Sequence, residues 1–165
     1  MPSTALSSEP KTGFEAIHFN EPVQDVLRSK GRAVWSIAPD ASVYRAVELM
    51  SEKQVGALIV LSRGRLAGII SERDYARKVI LKGRNSQDTQ VADIMTSPVM
   101  YVTPSQSIDE CLRMMTSRRV RHLPVLSGEE VVGVISMGDL VNWVLNEQER
   151  TIQHLKSYIA GSYPG

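Results

Sequence analysis

Residues 35–75 lie over residues 100–140 of the same chain at a constant offset of 65, without a gap. Twelve of the 41 aligned pairs are identical, where unrelated stretches of this composition would share about two or three. They include Pro39/Pro104, Ser42/Ser107, Met50/Met115, Leu58/Leu123, Val60/Val125, Gly68/Gly133, Ser71/Ser136 and Asp74/Asp139. This is an internal duplication, and whatever one copy builds the other builds again. An upstream echo, Val23-Gln24-Asp25-Val26-Leu27 against Val91-Ala92-Asp93-Ile94-Met95, extends each copy to roughly 55 to 60 residues. A unit of that size buries too little surface to stand alone. The two copies are therefore expected to pack as one globule with pseudo-twofold symmetry, and any chemistry in the cleft between them should come as paired sites.

Each copy reads as strand, helix, strand, strand, helix. Short strands at 34–37 and 99–102 end at Pro39 and Pro104, which cannot donate to a ladder. Ser107 and Glu110 then form a capping-box pattern ahead of the apolar stripe Ile108, Cys111, Leu112 and Met115; Ser42 precedes Val43, Ala46, Val47 and Met50 in the same way. Two aliphatic runs around a polar turn follow in each copy and predict hairpins. Near-continuous aliphatic strands call for a sheet covered on both faces. The predicted class is α+β or α/β: two β-α-β-β-α motifs plus a C-terminal helix. Its organisation is a flexible arm over 1–20, a first motif over 21–81, a polar linker over 82–90, a second motif over 91–142 and the C-terminal helix over 143–160.

Composition narrows the function classes. With 42% hydrophobic and 22% charged residues the chain is a globular type. Its net charge of +1 gives no field that would recommend nucleic acid or an anionic membrane as partner. The single cysteine, Cys111, excludes an intrachain disulfide framework and points to a reducing compartment, the cytoplasm. The apolar run at 55–61 is far shorter than the roughly 20 residues of a membrane span, and the amino terminus lacks a signal pattern.

Two groups stand out. Gly68-Ile69-Ile70-Ser71-Glu72-Arg73-Asp74 and Gly133-Val134-Ile135-Ser136-Met137-Gly138-Asp139 share Gly-x-x-Ser-x-x-Asp at a strand-to-helix junction. A helix cap accounts for the pattern, since the hydroxyl accepts from an early amide and the carboxylate favours the positive helix end. The same geometry also suits a nucleotide: free amides and a hydroxyl for phosphate, a carboxylate for the two ribose hydroxyls. The second group is the basic cluster Arg118-Arg119-Val120-Arg121-His122. It either complements the negative end of the preceding helix or holds phosphate. The first copy has Lys53-Gln54-Val55-Gly56-Ala57 there, so paired sites cannot be equivalent.

Over residues 23–142 the chain resembles a tandem pair of CBS domains, the Bateman module. The matching motifs are Val91-Ala92-Asp93-Ile94-Met95-Thr96, Arg121-His122-Leu123-Pro124-Val125 and Gly68-Ile69-Ile70-Ser71-Glu72-Arg73-Asp74. The resemblance implies a regulatory module that binds AMP, ADP or ATP between the copies, with NAD and S-adenosylmethionine as less frequent ligands. It implies Asp74 and Asp139 as ribose acceptors, Ser71 and Ser136 near the phosphate with Arg73 assisting, and Arg119, Arg121 and His122 as phosphate ligands. Adenine would lie among Val34, Trp35, Ala57 and Leu58 in one site. In the other it would lie among Thr96, Pro98, Val99, His122, Leu123 and Pro124. The chain departs from the pattern at Gly138, where the first copy has Arg73, and at Gly56-Ala57, where the second has Arg121-His122. The resemblance also implies a homodimer formed through helices.

Standard NTPase, Rossmann and zincin motifs do not occur, and the serine of Gly133-x-x-Ser136 is misspaced for a nucleophile elbow. Cys111 sits on an apolar stripe and reads as core; His18, His122 and His154 are too scattered for a metal site. Trp35 and Trp143 read as packing residues. Val141, Leu145, Ile152, Leu155 and Ile159 follow one face of the predicted tail helix, which should pack on its own module or on a second chain. The leading expectation is a non-catalytic adenine-nucleotide sensor read by a partner protein; the alternatives are a ligand-independent dimerisation module and a nucleotide-directed enzyme.

Overall fold

Ser42 accepts a hydrogen bond from the Arg45 amide at 3.1 Å and Ser107 one from the Glu110 amide at 3.2 Å. These caps open the matching helices of the two copies. The structure, a computed structural model, describes residues 17–160. Its elements are α1 (Val23–Lys30), β1 (Ser36–Ile37), α2 (Val43–Lys53), β2 (Ala57–Ser62), β3 (Arg65–Ser71), α3 (Glu72–Lys78), a 3-10 turn at Ile80–Lys82, α4 (Val91–Ile94), α5 (Ile108–Arg118), β4 (His122–Ser127), β5 (Glu130–Ser136) and α6 (Met137–Ile159). Strands β2 and β3 pair antiparallel, as do β4 and β5, with a register shift at Val60/Leu61 in one hairpin and at Val125/Leu126 in the other. The duplication extends to the irregularities.

The copies differ at their first strand. β1 pairs parallel with β2, helped by the Ile59 amide donating to the Trp35 carbonyl at 3.1 Å. The strand expected at 99–102 is reduced to a single bridge between Val102 and Val125. The cause is Pro124, which stands where the first copy has Ile59 and has no N–H to give. The C-terminal helix expected as a separate element from residue 143 is the continuation of α6, which runs 23 residues from Met137. Of the expected arm, residues 1–16 lie outside the described residues. Phe19 packs on the second core, and its carbonyl accepts from the Asp109 amide at 3.1 Å.

The leading helices do not pack where their position in the chain suggests. Val23, Val26 and Leu27 of α1 belong to the core of the second copy, with Val102, Ile108, Cys111, Met115, Leu123, Val125, Ile135 and Leu140. Val91 and Ile94 of α4 belong to the core of the first copy, with Val43, Ala46, Met50, Leu58, Val60 and Ile70. The exchange is reciprocal in its hydrogen bonds. Val23 and Gln24 donate to the Gln106 and Pro104 carbonyls at 2.8 and 3.0 Å; Val91 and Ala92 donate to those of Ala41 and Pro39 at 2.8 and 2.9 Å. Each leading helix lays a long side chain on a glycine of the other copy's hairpin. A Cβ on Gly133 would stand 2.6 Å from Leu27 Cδ2, and one on Gly68 would stand 2.6 Å from Met95 Sδ.

Gly133→Ala should therefore destabilise the fold by about 1–3 kcal/mol through overpacking, despite alanine's lower conformational entropy in the unfolded chain. Gly128→Ala, at a turn with open space but φ 63°, reports backbone strain instead. Denaturant unfolding monitored by far-UV circular dichroism checks the first; an unchanged midpoint for Gly133→Ala would show that Leu27 is free to move off the sheet.

Candidate functional site

Ser71 and Asp74 close a reciprocal capping box at the start of α3. The Ser71 amide donates to Asp74 Oδ2 at 2.9 Å and the Asp74 amide donates to Ser71 Oγ at 3.2 Å. Ser136 and Asp139 repeat it at the start of α6, at 2.9 and 3.1 Å. The cap reading is thus correct in both copies. It also limits the helix ends as anion sites, because the Glu72 amide is taken by the Gly56 carbonyl at 3.0 Å and the Met137 amide by that of Arg121 at 2.8 Å. With two of the first three α3 amides engaged internally, an anion here must be held chiefly by side chains.

Those boxes face two cavities between the copies, of about 300 Å³ and about 290 Å³, at the lower end of small-ligand sites. Each cavity takes its carboxylate from one copy and its opposite wall from the other. The first is lined by Ser71, Arg73 and Asp74 from the first copy, by Arg119, Val120, Arg121 and His122 from the second, and by Gly56, Ile69, Glu72 and Thr96. The second is lined by Ser136, Asp139 and Val134, by Gln54, Val55, Gly56 and Ala57, and by Lys30, Gly31, Ala33, Trp35 and His122. The walls Gln54–Ala57 and Arg119–His122 are the same segment at an offset of 65. Gln54 and Arg119, the C-caps of α2 and α5, share the left-handed conformation at φ 54°, which turns each chain into its strand.

Geometry is shared and charge is not. The first cavity gathers Arg73, Arg119 and Arg121, and Arg73 donates to the Arg119 carbonyl at 3.4 Å. Asp74 Oδ1 meets Lys78 Nζ at 3.0 Å and Thr96 Oγ1 at 3.5 Å. The second cavity has Lys30, whose ammonium pairs with Asp139 and donates to the Val134 carbonyl at 2.7 Å. Burial opposes ionisation of Asp139, but the hydrogen bond from Lys30 and that from the Ser136 amide hold its pKa below the usual carboxylate value. Trp35 faces this cavity with Lys53 Nζ 4.3 Å from its ring centroid, a cation–π contact.

His122 and Gly56 line both cavities. A Cβ on Gly56 would stand 3.3 Å from the His122 ring, so the glycine makes room for the imidazole in the shared wall. Burial lowers the His122 pKa; Asp139 opposes this, and Lys30 and Arg121 reinforce it.

Of the residues expected at the site, Ser71, Arg73, Asp74, Thr96, Arg119, Arg121 and His122 come together in the first cavity and Trp35, Ala57, His122, Ser136 and Asp139 in the second. Val34, Leu58, Pro98, Val99, Leu123 and Pro124 line neither. Leu58 and Leu123 are fully buried in the two cores; Pro124 is buried, Val34 and Val99 are half-buried, and Pro98 faces solvent. Lys30 escaped the sequence reading, since a lysine ending a short helix before Gly31 carries no motif. Cys111 is core, and burial raises its thiol pKa to about 11.

Two copies with exchanged leading helices and paired, carboxylate-bearing cavities between them define a tandem-repeat module. The family model described as "CBS domain" matches residues 23–80 and 91–146, and the chain belongs to the CBS-domain family. It is 39% identical to the mitochondrial CBS domain-containing protein CBSX3 of Arabidopsis thaliana over 171 residues, covering 98% of this chain and 81% of that protein. It is similar to the structure of a putative signal-transduction protein with CBS domains from Burkholderia ambifaria, with a TM-score of 0.76, 49% identity and coverage of 78% of this chain and 96% of that one. A CBS domain pair solved in complex with 5-methylthioadenosine and S-adenosyl-L-methionine shares the fold at a TM-score of 0.69 and 20% identity, covering 77% of this chain and 98% of that one. Among the described residues, no helix is long and apolar enough to cross a membrane.

The lowered pKa of His122 fixes a sign. As pH falls through the ordinary histidine value near 6.5, the unfolded chain binds a proton before the folded one does. Stability from the neutral imidazole is complete above that value and is lost as pH falls toward the folded pKa, by at most about 1.4 kcal/mol per pH unit. Thermal melts between pH 7.5 and 5 should show this slope, and His122→Gln should flatten it. An equal slope in both proteins would place the titration elsewhere.

Proposed function

We propose that the protein is a non-catalytic sensor of adenosine nucleotides that works as a homodimer, binds AMP, ADP or ATP between its two copies, and is read by a partner protein. NAD and S-adenosylmethionine are secondary candidates for the same cavities. The observation that carries this reading is the first cavity, of about 300 Å³, where Asp74, held by the Ser71 amide and Lys78, shares the lining with the guanidinium groups of Arg73, Arg119 and Arg121. Asp74 suits the vicinal hydroxyls of a ribose, and Arg73, Arg119 and Arg121, with His122, suit the phosphate attached to it. The CBS pair solved with two adenosine compounds is a precedent for the fold, and the relative with the signal-transduction description is one for the role. The single buried thiol fits a cytoplasmic home.

The second cavity is proposed as the weaker nucleotide site. Its wall has Gln54 and Gly56 where the first has Arg119 and Arg121, so no guanidinium group lines it among the described residues. One observation favours a second reading, a module that needs no ligand: both Ser-x-x-Asp boxes are satisfied as caps by the protein itself.

Isothermal calorimetry with AMP, ATP, NAD, S-adenosylmethionine and adenosine separates the two. The sensor reading expects saturable AMP binding that Asp74→Ala weakens by about tenfold or more for AMP and adenosine alike. Arg121→Ala should cost AMP about ten- to a hundredfold while leaving adenosine nearly unchanged, as loss of a charge-assisted hydrogen bond predicts. No saturable binding of any of these compounds would leave the ligand-free module standing.

A further inference from the structure

The first two turns of α6 are held in the second core through Met137, Leu140, Trp143 and Val144. Beyond them the helix continues for 15 residues, to Ile159, and Leu145, Ile152, Leu155 and Ile159 are all exposed. An isolated helix of that length is marginal in water. This stretch is not sustained by charge pairs either: Arg150 to Glu147 at 3.0 Å is its one salt bridge among the described residues. Something must cover the apolar face, and the spacing says what. Val141, Leu145, Gln148, Ile152, Leu155 and Ile159 follow one another at alternating steps of four and three, the 3.5-residue repeat of a coiled-coil seam and not the broader stripe that packs on a globule. In heptad terms Leu145, Ile152 and Ile159 occupy a, and Val141, Gln148 and Leu155 occupy d. Ile152 and Ile159 at a with Leu155 at d follow the pattern that favours two strands.

We propose that residues 141–159 of α6 form a two-stranded coiled coil with the same segment of a second copy of this chain. The partner must carry a matching seam, and a second copy supplies one by symmetry. The seam lies mostly beyond residue 146, where the family match ends, so it belongs to this chain's extension and not to the paired motifs. Beyond Val144, the positions off the seam include Glu147, Glu149, Arg150, Gln153 and Lys156. Gln148, the one polar seam residue, sits as a register-fixing position at some loss of stability. The inference specifies the surface of the homodimer proposed above and does not depend on ligand binding.

Size-exclusion chromatography with light scattering on the full chain tests it. The wild type should run at twice the mass of 18.3 kDa. The double variant Ile152→Glu, Leu155→Glu, which alters only exposed positions, should run as a monomer with lower helicity at 222 nm and an unchanged cooperative melt of the globule. Gln148→Leu should lower the dissociation constant at least about tenfold. A double variant that stays dimeric would overturn the seam while leaving a homodimer through another surface. A wild type that is monomeric at all concentrations would overturn both.

Discussion

The exchange of the leading helices ties the core of each half to the other. Val23, Val26 and Leu27 are at most 2% exposed, and they are buried in the other copy's core. At about 1.5–3 kcal/mol for each side chain fully buried, α1 alone contributes a sizeable share of the 5–15 kcal/mol that holds a typical domain folded. The halves are therefore laced together, and Leu27 over Gly133 and Met95 over Gly68 fix their spacing to the width of a glycine. That spacing sets the cleft. It also delivers Lys30, at the end of α1, to Asp139, and Thr96, just past α4, to Asp74. The two contacts are pseudo-symmetric in position and unlike in chemistry.

Duplication explains why the two cavities have one shape and two electrostatic characters. Backbone hydrogen bonds recur almost atom for atom: Glu72 to Gly56 in one copy, Met137 to Arg121 in the other. Both pairs use only main-chain groups, which substitution leaves intact. Side chains on the same scaffold were free to diverge, and Gln54-Val55-Gly56-Ala57 against Arg119-Val120-Arg121-His122 is where they did. Gly56 is more than a neutral replacement, because its missing Cβ is what seats the His122 ring between the cavities.

The motifs that define the site were legible because they appear twice at one offset: Ser71/Ser136 and Asp74/Asp139 could be paired before any geometry was known. The hairpins and capped helices were legible for the same reason. The exchange was not, since α1 and α4 bury the same residue types whichever copy covers them. The missing strand at 99–102 left a readable mark at Pro124, but its meaning requires knowing that the N–H of residue 124 would have faced residue 100. Leu58 and Leu123, which the resemblance puts around adenine, are buried in β2 and β4, strands covered on both faces, where alternation does not tell core from cleft. The continuity of α6 was visible in principle: no glycine or proline interrupts residues 139–160.

That continuity gives one helix two roles. Asp139, in the first turn of α6, faces the second cavity, and Ile159 closes the seam twenty residues later. At 1.5 Å per residue the two are about 30 Å apart, joined by a rod with no built-in hinge. A tilt of about 5° at Asp139 displaces the far end by about 2.5 Å, a large fraction of the spacing on which knobs-into-holes packing depends. Lys30 stands at the pivot, because its ammonium ties Asp139 to α1 and hence to the other copy's leading helix. Lys30 and the Ser136 amide both bond Oδ2 of Asp139, so a ligand in this cavity would loosen the tie only by competing for that oxygen. Such competition would act on the angle at which α6 leaves the globule, and its effect on the proposed seam would be bounded by the difference in the ligand's affinity for the two helix positions.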